Sequence, residues 1–222
     1  KDVAGLWTDG RFYTQANIEL AGSEAVLFRA AEPETPTIPQ YLCEQLPSGS
    51  VVGLNGTLFS AAAVKKMKDE FAAKGIELNT HIDFANELWN ADEESKRPIE
   101  EHSEIFHLDV KFSGKSTADK LSELRAKLKE EGADALIISR LDNIAWLYNI
   151  RANDVLNNPV VISYAYVSQN EAKLYTDCSR LPASVADILK ENGVAVADYD
   201  AVFGELSALS EKLCVLCDET EA

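Results

Sequence analysis

The sequence predicts an α/β protein built as two tandem domains, each a mixed sheet flanked by helices. Three observations lead there. Helix and strand signals alternate through both halves, a short motif recurs with the same order of elements behind it, and a polar stretch from Ala91 to Gly114, carrying Pro98, separates the copies. A chain of 222 residues accommodates one large domain or two small ones. The expected division is residues 1–97, a connection over 98–115, and residues 116–222.

In the first half, Val3 to Thr8 reads as a strand, Arg11 to Leu20 as a helix and Ala25 to Phe28 as a strand. Pro33, Pro36 and Pro39 punctuate a loop, and Pro39 suits the first turn of a following helix. Val51 to Leu54 is a strand, and Ser60 to Lys74 is an amphipathic helix stopped by Gly75.

The second half opens on Ser116 followed by Asp119, an N-terminal helix cap. Leu121, Leu124 and Leu128 fall on one helical face, and Gly132 closes that helix. Ala135 to Ile138 is a short apolar strand, and Asp142 to Asn149 a short helix. Val160 to Val167 is β-branched and aromatic, hence a strand, and Ala172 to Thr176 is a second one across a polar turn. A helix from Pro182 to Glu191 ends at Asn192-Gly193. A strand near Val194–Ala197, a helix near Ala201–Glu211 and a buried strand over Leu213–Cys217 complete the half.

The motif Ala4-Gly5-Leu6-Trp7-Thr8-Asp9-Gly10-Arg11 resembles Ala172-Lys173-Leu174-Tyr175-Thr176-Asp177-Cys178-Ser179-Arg180, with the Thr-Asp pairs 168 residues apart. Each copy continues with a helix, a strand, a helix and an apolar strand. Since the second copy begins near Ser116, its counterpart would begin about 52 residues before Lys1. The first domain is therefore expected to lack its N-terminal part.

Composition narrows the function classes. Hydrophobic residues make 46% and charged residues 26%, which excludes a disordered or collagen-like chain. Apolar runs of about five or six residues fall far short of a membrane span. A net charge of −16 disfavours nucleic acid and anionic lipid as partners and suits an acidic cytoplasmic protein. The four cysteines are scattered, as in a reducing compartment. Cys214 and Cys217 form a lone C-x-x-C with no second ligand pair, and a strand would point their thiols to opposite faces. His81, His102 and His107 lack a matching carboxylate pattern and read as surface residues. No phosphate-binding glycine loop and no serine-hydrolase elbow is present.

Arg11 follows Asp9-Gly10 at the end of a predicted strand, where a turn presents a side chain to solvent. Its guanidinium can hold a peptide carbonyl or carboxylate through two parallel hydrogen bonds, or simply pair with Asp9 on the surface. Arg151 sits in a loop rich in Asn and Asp. It can face a cleft, or form a structural pair with Asp154. Trp7 reads as core, and at least one of Trp146 and Tyr148 must be core.

Two stretches resemble a known family. Leu6-Trp7-Thr8-Asp9-Gly10-Arg11-Phe12-Tyr13-Thr14-Gln15-Ala16 is similar to the W-T-D-G-R-Y-F-x-Q-A signature of three-domain aminopeptidase P, the Xaa-Pro aminopeptidases. Leu141-Asp142-Asn143-Ile144-Ala145-Trp146-Leu147-Tyr148-Asn149-Ile150-Arg151 is similar to that family's L-D-E-I-A-W-L-x-N-x-R segment, and the likeness continues at Asp154, Asn158, Pro159, Val160, Ser163 and Tyr164. Pro33, Pro36, Thr37 and Ile38, with Glu87-Leu88-Trp89 and Arg97-Pro98, extend it over nearly the whole chain. The loop after Arg151 departs, with Ala152 where the family has glycine. The resemblance implies two creatinase N-terminal-like domains without a catalytic domain. It implies substrate contact by Arg11, with Asp9 orienting it; Arg151 is the second substrate-contact candidate, from its place in the loop. The resemblance also implies that the complete enzyme binds two manganese ions in a domain not included in this chain, and that no cofactor is held here. The implied partners are a peptide with proline second, the chain's own catalytic domain and a second copy in a homodimer. A stand-alone α/β binding or scaffolding module is the alternative reading.

Overall fold

The computed structural model describes residues 3–92 and 102–220, in two compact units, Lys1–Leu88 and Trp89–Ala222. Residues 93–101 of the expected connection lie outside the described residues.

The first unit opens with β1 (Ala4–Thr8), α1 (Tyr13–Glu19) and β2 (Ala25–Arg29). β1 and β2 pair in parallel, with Trp7 opposite Phe28. Those two rings stack at 3.9 Å, Tyr41 meets both edge-on, and Trp7 Nε1 donates to the Pro36 carbonyl at 2.8 Å. Gly5 is required by this stack, because a Cβ there would lie 2.7 Å from the Trp7 ring. Trp7 is half-buried rather than fully core.

α2 (Ile38–Gln45) starts at a capping box in which Thr37 and Gln40 satisfy each other's backbone N–H groups. β3 (Val51–Gly53), α3 (Ala61–Ala72) and β4 (Glu77–Asn79) follow, and β3 and β4 form a second parallel pair. Ser60 caps α3, and Phe71 is its buried residue. α4 (Phe84–Ala91) ends the described part of this region. The single mixed sheet expected for the first half is thus two separate parallel pairs among the described residues.

The second unit holds the mixed sheet. β5 (Phe106–His107) and α5 (Val110–Ser113) come first, followed by α6 (Thr117–Glu130), β6 (Ala135–Ile138), α7 (Leu141–Tyr148) and β7 (Ile150–Arg151). β8 (Tyr164–Ser168), β9 (Ala172–Thr176), α8 (Ala183–Glu191), β10 (Ala195–Asp198), α9 (Ala201–Ser207) and β11 (Val215–Leu216) complete it. The sheet order is β10-β9-β8-β6-β11, with β8 antiparallel to both neighbours and the outer pairs parallel. On one face Leu121, Leu147, Tyr148 and Leu189 from α6, α7 and α8 pack on Val167 and Leu174. On the other, Val202 and Leu206 of α9 cover Ala135, Tyr166 and Tyr175. Burial of each large apolar side chain stabilises the unit by about 1.5–3 kcal/mol relative to exposure.

Two expectations need correction here. Residues 102–115 are packed structure rather than linker: β5 pairs antiparallel with β7, and Ile105 is fully buried in the second unit's core. His102 and His107 are accordingly half-buried, and burial pushes the His107 imidazole down. The Leu213–Cys217 strand shrinks to the two residues of β11 at the sheet edge, where Cys214 and Cys217 are exposed.

Candidate substrate-contact turn and its buried counterpart

Both copies of the Thr-Asp motif end a strand and close the same turn. The Arg11 N–H donates to Asp9 Oδ1 at 2.9 Å, and the Ser179 N–H donates to Asp177 Oδ1 at 2.9 Å. The turns then diverge in what they do with their arginine.

In the first unit, Arg11 Nε and Nη2 donate to the two Asp9 carboxylate oxygens at 2.9 and 2.8 Å. The Arg11 side chain nevertheless remains 81% exposed. A guanidinium carries five N–H donors in a fixed fork, so this side-on pairing leaves the Nη1 end of the fork facing outward. The hydrogen bond from the Arg11 side chain, then that from its backbone N–H, lowers the Asp9 carboxyl to about 2. Asp9 is therefore ionised throughout the neutral range and fixes the fork's direction. Because the pair is formally neutral, it suits a peptide carbonyl at least as well as a carboxylate. The exposed Phe12 ring lies 5.5 Å below the guanidinium carbon. An NMR titration of the Asp9 carboxyl carbon should give a midpoint near 2 and return to the ordinary carboxylate range in Arg11→Ala; an ordinary midpoint in the unmutated chain would show the pair to be open.

In the second unit Ser179 takes the position of Arg11, and the next residue, Arg180, has a side chain only 11% exposed. Its Nη1 and Nη2 donate to Asp154 at 2.7 and 2.8 Å, and the Asp154 side chain has no exposed surface. Asp154 also accepts from the Ile162 N–H at 2.7 Å, and His102 Nδ1 lies 3.7 Å away. Burial by itself would raise the Asp154 carboxyl. The Arg180 hydrogen bonds, the Ile162 N–H and the nearby positive charge outweigh it and hold the group below its usual value. The local Arg151–Asp154 pair considered from the sequence is absent, because Asp154 is committed to Arg180.

Arg151 faces the end of α7 instead. Its Nη1 donates to the Ala145 and Ile150 carbonyls at 2.5 and 2.8 Å. Lys120 joins it there: only 2% exposed, it donates to the Trp146 carbonyl and to Asn149 Oδ1, each at 2.6 Å. Asn149 takes the left-handed conformation that ends the helix, with φ 53°, and its Nδ2 donates to the Lys115 carbonyl at 2.9 Å. Two cations thus sit on the carbonyl end of α7, where the helix dipole is negative. Burial, then the charges of Arg151 and Lys115, lower the Lys120 ammonium. Tyr148 is core, whereas Trp146 is 53% exposed and lines a largely apolar cavity of about 630 Å³ with Leu124, Leu136, Ile138 and Asn143. Neither that cavity nor the open one beside Phe106 and Asn153 is lined by Arg11 or Arg151.

The candidates Arg11 and Asp9 are therefore brought together in one unit, while Arg151 lies in the other. Among the described residues no cluster of three or more His, Cys, Asp or Glu could hold a metal ion. No helix among them is long and apolar enough to cross a membrane.

A mixed five-stranded sheet with helices on both faces defines the second unit as an α/β domain, and comparison with known proteins places it. Residues 96–222 match the creatinase/prolidase N-terminal domain family, and the chain belongs to that family. Aminopeptidase P2 of Arabidopsis thaliana is 35% identical over 214 residues, which are 96% of this chain and 29% of that protein. Aminopeptidase P1 of Lotus japonicus is 37% identical over 95% of this chain and 31% of its own length. Among solved structures, an X-prolyl aminopeptidase from Caenorhabditis elegans, described as a cytosolic enzyme with a di-nuclear active site, superposes with a TM-score of 0.82. Its identity is 30%, over 91% of this chain and 32% of that one. The chain spans about a third of the length of the relatives it matches.

Proposed function

We propose that this chain is the non-catalytic N-terminal portion of a metal-dependent, cytoplasmic Xaa-Pro aminopeptidase, and that Arg11 contacts the peptide substrate. The observation that carries the reading is the contrast between the two turns. Arg180, one position later in the corresponding turn, has a side chain only 11% exposed that binds Asp154 and lies 3.8 Å from Asp177, while the Arg11 side chain is 81% exposed and is held by Asp9. An exposed, preoriented arginine contributes little to folding, and its geometry suits hydrogen bonding to a peptide backbone.

In this reading the complete enzyme removes the first residue from peptides with proline second. Its two metal ions, manganese by family resemblance, belong to its own catalytic domain, and the enzyme acts as a homodimer. This chain binds and orients the peptide and restricts access to the cleft. Arg11 holds a peptide carbonyl, Asp9 fixes the fork, and the fixed end of α7 positions the loop after Arg151.

The test compares the purified 222-residue chain with the longer gene product, each supplied with manganese and a peptide carrying proline second. Turnover is expected from the longer product alone, because the described residues of this chain bring together no group of ligands for the metal that would activate water. Metal-dependent turnover by the 222-residue chain, surviving removal of contaminating peptidases, would contradict the proposal. A longer product that binds peptides without cleaving them would instead make the chain a binding or scaffolding module.

A further inference from the structure

The end of α7 is closed differently from its neighbours. In α6 and α8 the backbone N–H of the C-terminal cap donates to carbonyls of the last turn. The last carbonyls of a helix have no partner within it, so donors must come from elsewhere. At the end of α7 they come from side chains: Arg151 takes the Ala145 carbonyl and Lys120 the Trp146 carbonyl, while the cap residue Asn149 is left-handed.

Lys120 is a costly residue to place there. A lysine is seldom fully buried without an anion beside it, yet both acceptors of Lys120 are neutral oxygens, the Trp146 carbonyl and Asn149 Oδ1, and the Trp146 ring lies 4.5 Å from the ammonium. What the position provides is reach. Lys120 belongs to α6, the Asn149 Nδ2 group donates to the Lys115 carbonyl, and the Asn149 carbonyl accepts from the Leu108 N–H at 2.7 Å. The ammonium therefore ties the end of α7 to α6 and, through Asn149, to the segment after β5. From that point the chain enters β7 and then the loop over 152–159, where Asn153 and Ser103 exchange hydrogen bonds at 3.0 and 3.1 Å. Asn153, Asn157 and Asn158 of this loop line the open cavity of about 740 Å³ beside Phe106.

We propose that Lys120 is a positioning residue for peptide binding: by clamping the Trp146 carbonyl and the Asn149 side chain, it sets the direction in which the chain leaves α7, and so places Arg151 and the loop over 152–159. The inference rests on the reading that this chain binds and orients the peptide, and deepens it. Lys120 touches no substrate itself; it acts through Asn149. Its cost in burial is retained because a neutral side chain of the same length offers no donor to either oxygen.

The experiment compares the parent with Lys120→Met, Asn149→Gly and the double variant. Methionine keeps the length without the donors, and glycine accepts the φ of 53° without the side chain. In the 222-residue chain, amides of residues 149–153 should exchange at least about tenfold faster in each single variant, with β8 and β9 unchanged. The double variant should be no faster than the singles, because both remove the same contact. In the longer enzyme, Lys120→Met should raise KM for a peptide with proline second about tenfold and change kcat by less than about twofold. Leu189→Ala, which opens the same core from α8, should lower Tm without moving KM. Asn149→Gly carries the test if Lys120→Met does not fold. Unaltered exchange at 149–153, or a KM shift matched by Leu189→Ala, would overturn the inference. An unaltered KM beside a lowered kcat/KM in Arg11→Ala would overturn it alone; unaltered kinetics in both variants would overturn the underlying reading with it.

Discussion

Asp154→Ala is expected to destabilise the second unit by about 3–5 kcal/mol, lowering its Tm by roughly 10–20 °C. The carboxylate is wholly buried and receives both Nη groups of Arg180 and the Ile162 N–H. Removing it leaves a guanidinium with 11% exposure facing no anion at that position, and leaves a backbone donor unsatisfied. The three segments it joins, around His102, the loop to Ile162 and the turn before α8, lose their common anchor. Replacing both partners, as in Asp154→Leu with Arg180→Met, should cost less, because no unpaired charge remains and only the Ile162 N–H loses its acceptor.

The pH dependence follows from the same carboxyl. Its value in the folded chain is depressed, so its contribution is fully present above the unfolded value of about 3.9. That contribution is lost as pH falls through the lower folded value. Urea denaturation followed by circular dichroism should therefore show a shallower acid loss of stability in Asp154→Ala than in the parent. A Tm change below about 2 °C, with an unaltered acid limb, would show that the pair contributes nothing.

How far the sequence discloses such features depends on their range. The helix α6 is legible because its signals are local: Ser116 accepts from the Asp119 N–H, Leu121 and Leu128 are buried, and Gly132 takes a φ of 66°. The end of α7 lies within the recognised L-D-N-I-A-W-L-Y-N-I-R stretch, but its cations do not announce their partners. Lys120 looks like any lysine on a polar helix until the chain brings Asn149, 29 positions away, against it. Asp154 has Arg151 three residues before it and still pairs with Arg180, 26 residues on, since burial selects the partner that can approach with both nitrogens. The 102–115 stretch reads as a connection because it is polar, and Ile105 gives a weak local signal. Its pairing with Ile150 and Arg151 is settled by tertiary contact. Asp9 and Arg11 are two residues apart, so their pairing is visible from spacing. The exposure that distinguishes Arg11 from Arg180 is visible only in the fold.

Arg11→Ala in the longer enzyme tests the central claim most directly. A charge-assisted hydrogen bond to substrate is worth about 1.5–3 kcal/mol, so kcat/KM on a peptide with proline second should fall about ten- to a hundredfold. Arg11→Lys should recover part of the loss, keeping the charge without the planar fork. The Tm should barely move, because the side chain is 81% exposed and its ionic partner Asp9 is 45% exposed. Measuring kcat/KM and Tm together on Arg11→Ala therefore predicts a large kinetic loss with an intact fold. An unchanged kcat/KM beside a clear fall in Tm would contradict the account and leave the Asp9–Arg11 turn as structure alone.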